Sequence, residues 1–362
     1  MRNQNMVRRG RLLVLLVGSV VVVACGGTTP STATGGSGVV KTVQPGSIST
    51  NWVQWDKKSC QYVAVTSHPD TWTATLRKPA QSLKIALGEQ GESIGQQTDF
   101  NNSVKTAAAA AGIQLVVGNY NNPSTTDPVT QNQAMALQNP QGLISYLTLV
   151  NVLPAASAPF EKNCIPIVQV TVPYKNVPVF GLSNQDDGKL MGSYLGDFAV
   201  KHNWTSGVDI LVSQNPAFGA DVTDRMTQCM NAAKAKVTNA AVSYLDVGAG
   251  TDTTQTATTN WLTAHPNSHH VLACGFADAF AIGMNNAFKA ANRVADGAVV
   301  GTGGAQNARD LIKAGTSFVA TVNQHYDQYG DYLIPLVEDI LDGKPVPAAS
   351  HQKLEIIDQS NA

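Results

Sequence analysis

One stretch of the chain has the spacing of a nucleophile site. Gly91-Glu92-Ser93-Ile94-Gly95 fits GxSxG and falls between an expected strand and an expected helix. A serine so placed attacks acyl groups when a tight strand-to-helix turn exposes it and a histidine base follows, a part open to His325 or His351. Three features oppose that chemistry. The strand ends near Leu87, too early for a tight turn at Ser93; it is the first strand of the body; and no HGGG-like oxyanion loop precedes it. A serine hydrolase using Ser93 is therefore a remote alternative. No GxxxxGK[ST] and no HExxH occurs, so the residues for a phosphate-cradling loop or a zinc-protease helix are missing. His269 and His270 are adjacent at the entry to a strand, where neighbours point to opposite faces. No metal and no cofactor is expected.

Cys25 is followed by Cys60, Cys164, Cys229 and Cys274. None forms a CxxC pair. In an exported protein an even number permits two disulfides in any of three connectivities. Cys164 and Cys274 lie beside or in expected strands, where a buried free thiol is also common.

The elements that position these residues begin after an unusual N-terminus. Met1–Arg11 carries four arginines and no acid, and Leu12–Val23 is a continuous apolar run of 12 residues. A membrane span needs about 20, so the run reads as the core of an export signal over residues 1–24. Gly26–Thr50 is rich in Gly, Ser, Thr and Pro with one charge, which makes residues 25–50 an expected flexible linker. Without the four leading arginines the formal balance is −5, against the basic stripe that nucleic-acid binding needs. The chain is 362 residues long, 43% apolar and 14% charged, enough for two cores.

Residues 51–81, with Trp52, Trp55, Tyr62 and Trp72, read as an N-terminal extension packed on the body. From Ser82 strands and helices alternate. Expected strands are Leu83–Leu87, Gln114–Val117, Gly142–Leu147 and Pro166–Val170, with helices between. The alternation restarts with a helix at Asp187–His202. Strands then follow at Asp209–Val212, Val242–Asp246, His270–Cys274, Ala298–Thr302 and Phe318–Val322, with a final helix Tyr326–Asp342 and a last strand Lys353–Ile357. These strands are short apolar runs without strict alternation, as when helices cover both faces of a parallel sheet. Two runs of such units predict an α/β protein of two doubly wound parallel-sheet lobes. Ligands of such sheets bind at loops beyond the carboxyl ends of the strands, so two facing lobes converge their loops on one cleft.

Two resemblances add to this reading. Val22-Val23-Ala24-Cys25 resembles the lipobox of bacterial lipoproteins, which implies acylation of Cys25 and a lipid anchor in the cell membrane. Phe276–Gly283 (FADAFAIG), Val300–Gly315 (VGTGGAQNARDLIKAG), Ala320–Gln324 (ATVNQ) and Ser183–Gly192 (SNQDDGKLMG) stand in order. Their spacing resembles that of the sugar-binding type 1 periplasmic binding proteins of ABC transporters, over about Leu83 to Ile357. The resemblance implies three crossings between lobes, with residues 82–183 plus 325–346 in the N-terminal lobe and 184–324 plus 347–362 in the other. It implies a solute binder outside the cytoplasm that hands a small polar ligand, a sugar or polyol, to an ABC permease, without enzymatic activity. The alternative is a sensor whose closed form engages a membrane signalling protein.

Candidate ligand contacts follow position by position. Asp278 matches the family's aspartate at a helix start, and a helix N-cap is its other reading. Gln324 matches a glutamine at a hinge crossing, or serves only hinge backbone groups. Ser93 and Gln96 stand where the family uses polar and aromatic contacts, or simply start a helix. Asn215 and Phe218 occupy the corresponding loop of the second lobe, or are a turn residue and a core residue. Thr171 and Val172 replace an aspartate and an arginine common in the family, Gly303 replaces an aspartate, and Thr223 replaces a ligand arginine, with Arg225 bracing its helix. Fewer charge-assisted hydrogen bonds to the ligand are therefore expected.

Overall fold

The computed structural model describes residues 38–90, 95–120, 127–216, 219–248 and 250–362. The expected export signal, Cys25, Ser93 and Phe218 lie outside the described residues.

Two sheets organise the body. The first has seven strands in the order Ser47–Ile48, Ala349–His351, Val179–Gly181, Ile167–Val170, Gly142–Ser145, Lys84–Gln90, Gln114–Tyr120. The second has six: Ala241–Asp246, Val208–Gln214, His270–Cys274, Gly297–Gly303, Phe318–Asn323, Glu355–Asp358. Pairing is parallel except at one edge of each, where Ser47–Ile48 and Glu355–Asp358 run antiparallel. The central strands bury both faces, as at Ile85, Ala86 and Leu87 in one lobe and Val271, Leu272 and Ala273 in the other. That double burial is why they read as unbroken apolar runs. The expected two-lobed α/β architecture holds.

The first helix of the second lobe, Asn184–Lys201, shows how sequence sets packing. Ser183 caps it, its hydroxyl accepting from Asp186 N at 3.2 Å. Gly188 and Gly192 lie one turn apart against the helix Ala220–Lys236, where a Cβ would overlap the carbonyl oxygens of Arg225 and Cys229. The two helices therefore pack backbone to backbone. A disulfide from Cys229 to Cys274, with Cα atoms 6.3 Å apart, pins the second helix to the sheet.

The extension is a hairpin of Trp52–Asp56 and Gln61–Val65, completed by Val346–Pro347 as a third antiparallel strand. Trp52, Trp55, Tyr62 and Trp72 are buried in the core of the first lobe. Trp72 Nε1 donates to Asp339 Oδ2 at 3.1 Å on the long helix Gly330–Leu341, and Arg77 pairs with Asp339 and Asp342. A second disulfide, Cys60–Cys164, ties the hairpin turn to the same lobe.

Two boundaries differ from the sequence expectation. The linker expected over 25–50 is ordered from Val39, because Val39–Val43 pairs antiparallel with Ala74–Arg77 and Ser47–Ile48 joins the first sheet. The segment from 347 does not enter the second lobe at once. Ala349–His351 runs parallel to Val179–Gly181 in the first lobe, and only Glu355–Asp358 joins the second. The chain thus crosses between the sheets after Gly181, after Asn323 and after His351. At the second crossing His325 takes left-handed geometry, φ +50°. Among the described residues no helix is long and apolar enough to cross a membrane.

Candidate ligand-binding cleft

The carboxyl ends of the parallel strands deliver the site. The helix Gly95–Ala111 follows the strand Lys84–Gln90 and brings Gln96 to the mouth of the first lobe. Opposite it, the strand Gly297–Gly303 ends in two consecutive glycines with positive φ, +137° at Gly303 and +75° at Gly304. A side chain on Gly303 would overlap Gln96 Oε1, and its Cβ would lie 3.0 Å from Asp278 Oδ2. Gln96, Gly303 and Asp278 therefore meet across the lobes. A second meeting point puts Val150 Cγ1 3.1 Å from where a Cβ of Gly219 would stand. The two lobes touch at both points.

Asp278 opens the helix Asp278–Ala290 and is buried. It is not an N-cap. Its Oδ1 accepts from Thr321 Oγ1 at 2.6 Å and its Oδ2 from Ala305 N at 2.8 Å, so it staples three neighbouring strand ends. Burial pushes its carboxyl up to about 6 against those hydrogen bonds.

Gln324 is buried at the second crossing. Its Nε2 donates to Asp187 Oδ2 at 3.2 Å and to the Thr302 hydroxyl. Asp187, in the first turn of Asn184–Lys201, also accepts from Thr302 Oγ1 at 3.0 Å and pairs with Arg225 Nε at 3.1 Å. Arg225 Nη2 donates to Asn184 Oδ1 at 2.6 Å and its Nη1 to Phe276 O at 3.0 Å. Burial outweighs the guanidinium and pushes Asp187 up to about 6. Arg225 thus braces more than its own helix: it ties the first crossing to the second.

Asn215 follows the strand Val208–Gln214 in the second lobe. Its Nδ2 donates to Gly248 O at 2.6 Å, joining two loops at the strand ends of the second lobe. Thr171 has φ +66° and Val172 is buried, so neither stands in for the charged pair of the family pattern. His269 faces Asp296 and His270 faces Ser206 O, and among the described residues no group of three His, Cys, Asp or Glu could hold a metal ion.

Sequence reasoning missed Asp187, Thr302 and an aromatic wall. Tyr146, just past the strand Gly142–Ser145, donates to Tyr326 Oη at 3.1 Å, and Tyr326 stacks on Tyr329. Asp187 did leave a signal. It falls at four-residue spacing with Met191, Leu195 and Ala199, a fully buried face on which an acid is out of place.

Two of the expected contact residues carry an acceptor without a protein donor among the described residues. Gln96 Oε1 and Gln324 Oε1 are both buried and unpaired. Buried polar atoms are normally satisfied, so each marks a place where another hydrogen-bond donor belongs.

A model of the periplasmic binding protein domain matches residues 89–345. Among solved structures, an ABC transporter solute-binding protein from Mycobacterium smegmatis with bound glycerol is 24% identical, with a TM-score of 0.68 over 78% of this chain and 96% of that one. One from Actinobacillus succinogenes with bound D-allose is 20% identical, with a TM-score of 0.65 over 77% and 98%. A glucose-galactose binding protein from Geobacillus stearothermophilus is 16% identical, with a TM-score of 0.64 over 77% and 98%. No curated protein matches. With the domain match spanning well over half its length, the chain belongs to the periplasmic binding protein family.

Proposed function

We propose that this protein is an extracytoplasmic solute-binding lipoprotein, anchored through Cys25, that captures a sugar or polyol between its lobes and delivers it to an ABC importer. It transforms nothing. The observation that carries the reading is the pair of buried, unpaired acceptors, Gln96 Oε1 from the first lobe and Gln324 Oε1 at the crossing. A ligand rich in hydroxyl donors satisfies both only when the lobes are shut. The charged side chains nearby are already spent, Arg225 on Asp187 and Asp278 on Thr321 and Ala305, which suits a neutral guest. The Tyr146–Tyr326 pair supplies aromatic surface beside it. The kinship with structures holding glycerol and D-allose supports the same ligand class.

Closure is a population shift. Ligand that touches both lobes favours the shut form by its differential contacts, and moving the balance from 1:99 to 99:1 takes about 5.5 kcal/mol. The shut shape then docks on the permease. A thermal-shift screen with D-allose, D-galactose, D-ribose and glycerol tests the reading. A true ligand at 100 times its dissociation constant stabilises by about 2.7 kcal/mol, and no shift with any sugar or polyol would contradict it.

A further inference from the structure

We propose that Asp187 is a positioning residue that sets the orientation of the Gln324 amide, so that Gln324 Oε1 is offered to the ligand as a fixed acceptor. The inference rests on the binding reading above and deepens it. Asp187 is fully buried. An ionised carboxylate only accepts hydrogen bonds, so the amide group facing it must be the NH2. Both N–H bonds of that group are used, one on Asp187 Oδ2 at 3.2 Å and one on Thr302 Oγ1. Turning the amide over would set two acceptor oxygens against each other. Thr302 cannot relieve the clash, because its own proton is committed to Asp187. Arg225 holds the carboxylate in place and is itself held by Asn184 and Phe276 O.

The consequence is selective. At this point of the site the ligand must present a hydrogen-bond donor, a hydroxyl rather than an ether or carbonyl oxygen. Four charged or titratable groups set the environment: Arg225 from the helix Ala220–Lys236, Asp278 from the helix Asp278–Ala290, and Tyr329 and Tyr326 from the turn before Gly330–Leu341. Protonated Asp187 becomes a donor, and the Gln324 amide then loses its fixed direction.

The test uses the whole folded protein labelled with 15N-glutamine. The Gln324 side-chain signal is identified by its loss in Gln324→Ala. It should shift with a midpoint near the value of about 6 to which Asp187 is raised. The step should vanish in Asp187→Asn and survive in Asp278→Asn. Should Asp187→Asn fail to fold, the double variant Asp187→Asn, Arg225→Met removes both charges together. No step between pH 4.5 and 8, or a step that survives loss of Asp187, overturns the proposal. For whichever of D-allose, D-galactose, D-ribose and glycerol binds the wild type, affinity should fall below pH 6 and be about tenfold weaker and pH-independent in the Asp187 variant. Unchanged affinity with an unchanged pH profile also overturns it. Failure of all four probes to bind the wild type counts against the ligand class instead, and the amide signal still decides the role of Asp187.

Discussion

Gln96 Oε1 and Gly303 face each other across the two lobes so closely that no side chain fits between them. The contact joins the two lobes. Gly303→Ala should therefore hold the lobes apart, adding the strain of φ +137°. Ligand affinity should drop at least about tenfold, some 1.4 kcal/mol. In a Gln96→Ala background, whose own affinity is already lowered, Gly303→Ala should cost much less than in the wild type, and full additivity of the two changes would contradict the contact.

The buried carboxyls make stability depend on pH. Asp187 and Asp278 are both raised to about 6 by burial. In the unfolded chain they titrate near 4, so between about pH 4 and 6 the native state binds more protons than the unfolded one. Stability contributed by these groups therefore falls as pH rises through that window and is level above it. Urea midpoints at pH 5 and pH 7.5 should show a smaller loss in Asp278→Asn than in the wild type. An equal loss in both would contradict the assignment.

The Cys60–Cys164 disulfide closes a sequence separation of 104 residues at the extension, on the side of the first lobe that carries the hairpin. Cys60→Ser with Cys164→Ser should cost about 2–5 kcal/mol of stability, read as a lower urea midpoint. Ligand affinity should stay unchanged, since none of the cleft residues touches this bond. A weakened affinity would show that the extension reaches the site.

The proposed membrane anchor rests on Cys25 alone. Cys25→Ser in the full chain should move the protein from the membrane fraction to the soluble fraction. Retention in the membrane fraction would contradict the lipid anchor.

Much of the fold was legible because the central strands bury both faces, which forces apolar runs such as Leu83–Leu87 and His270–Cys274. Val39–Val43 was not, because that strand is almost wholly exposed and carries no burial pattern for composition to reveal. The third crossing was misplaced by a few residues for a related reason. Ala349–His351 owes its place to pairing with Val179–Gly181, a partner remote in sequence. Gln96, Asp278 and Gln324 were candidates through the family resemblance, but not that Asp278 and the Gln324 amide nitrogen are engaged with Thr321, Ala305, Asp187 and Thr302. Those partners come from other strands and helices, and only folding brings them together.

The central claim, that the two lobes shut on an unaltered guest, is met most directly by a distance between them. Leu137 on the first lobe and Val200 on the second are 81% and 53% exposed, so each can carry a spin label after substitution by cysteine. Without ligand the measured distances should spread over open and shut forms. A saturating sugar or polyol from the screen should narrow them to one shut distance, with the guest recovered chemically intact. A bound guest that leaves the distribution untouched, or that is recovered transformed, would contradict the account.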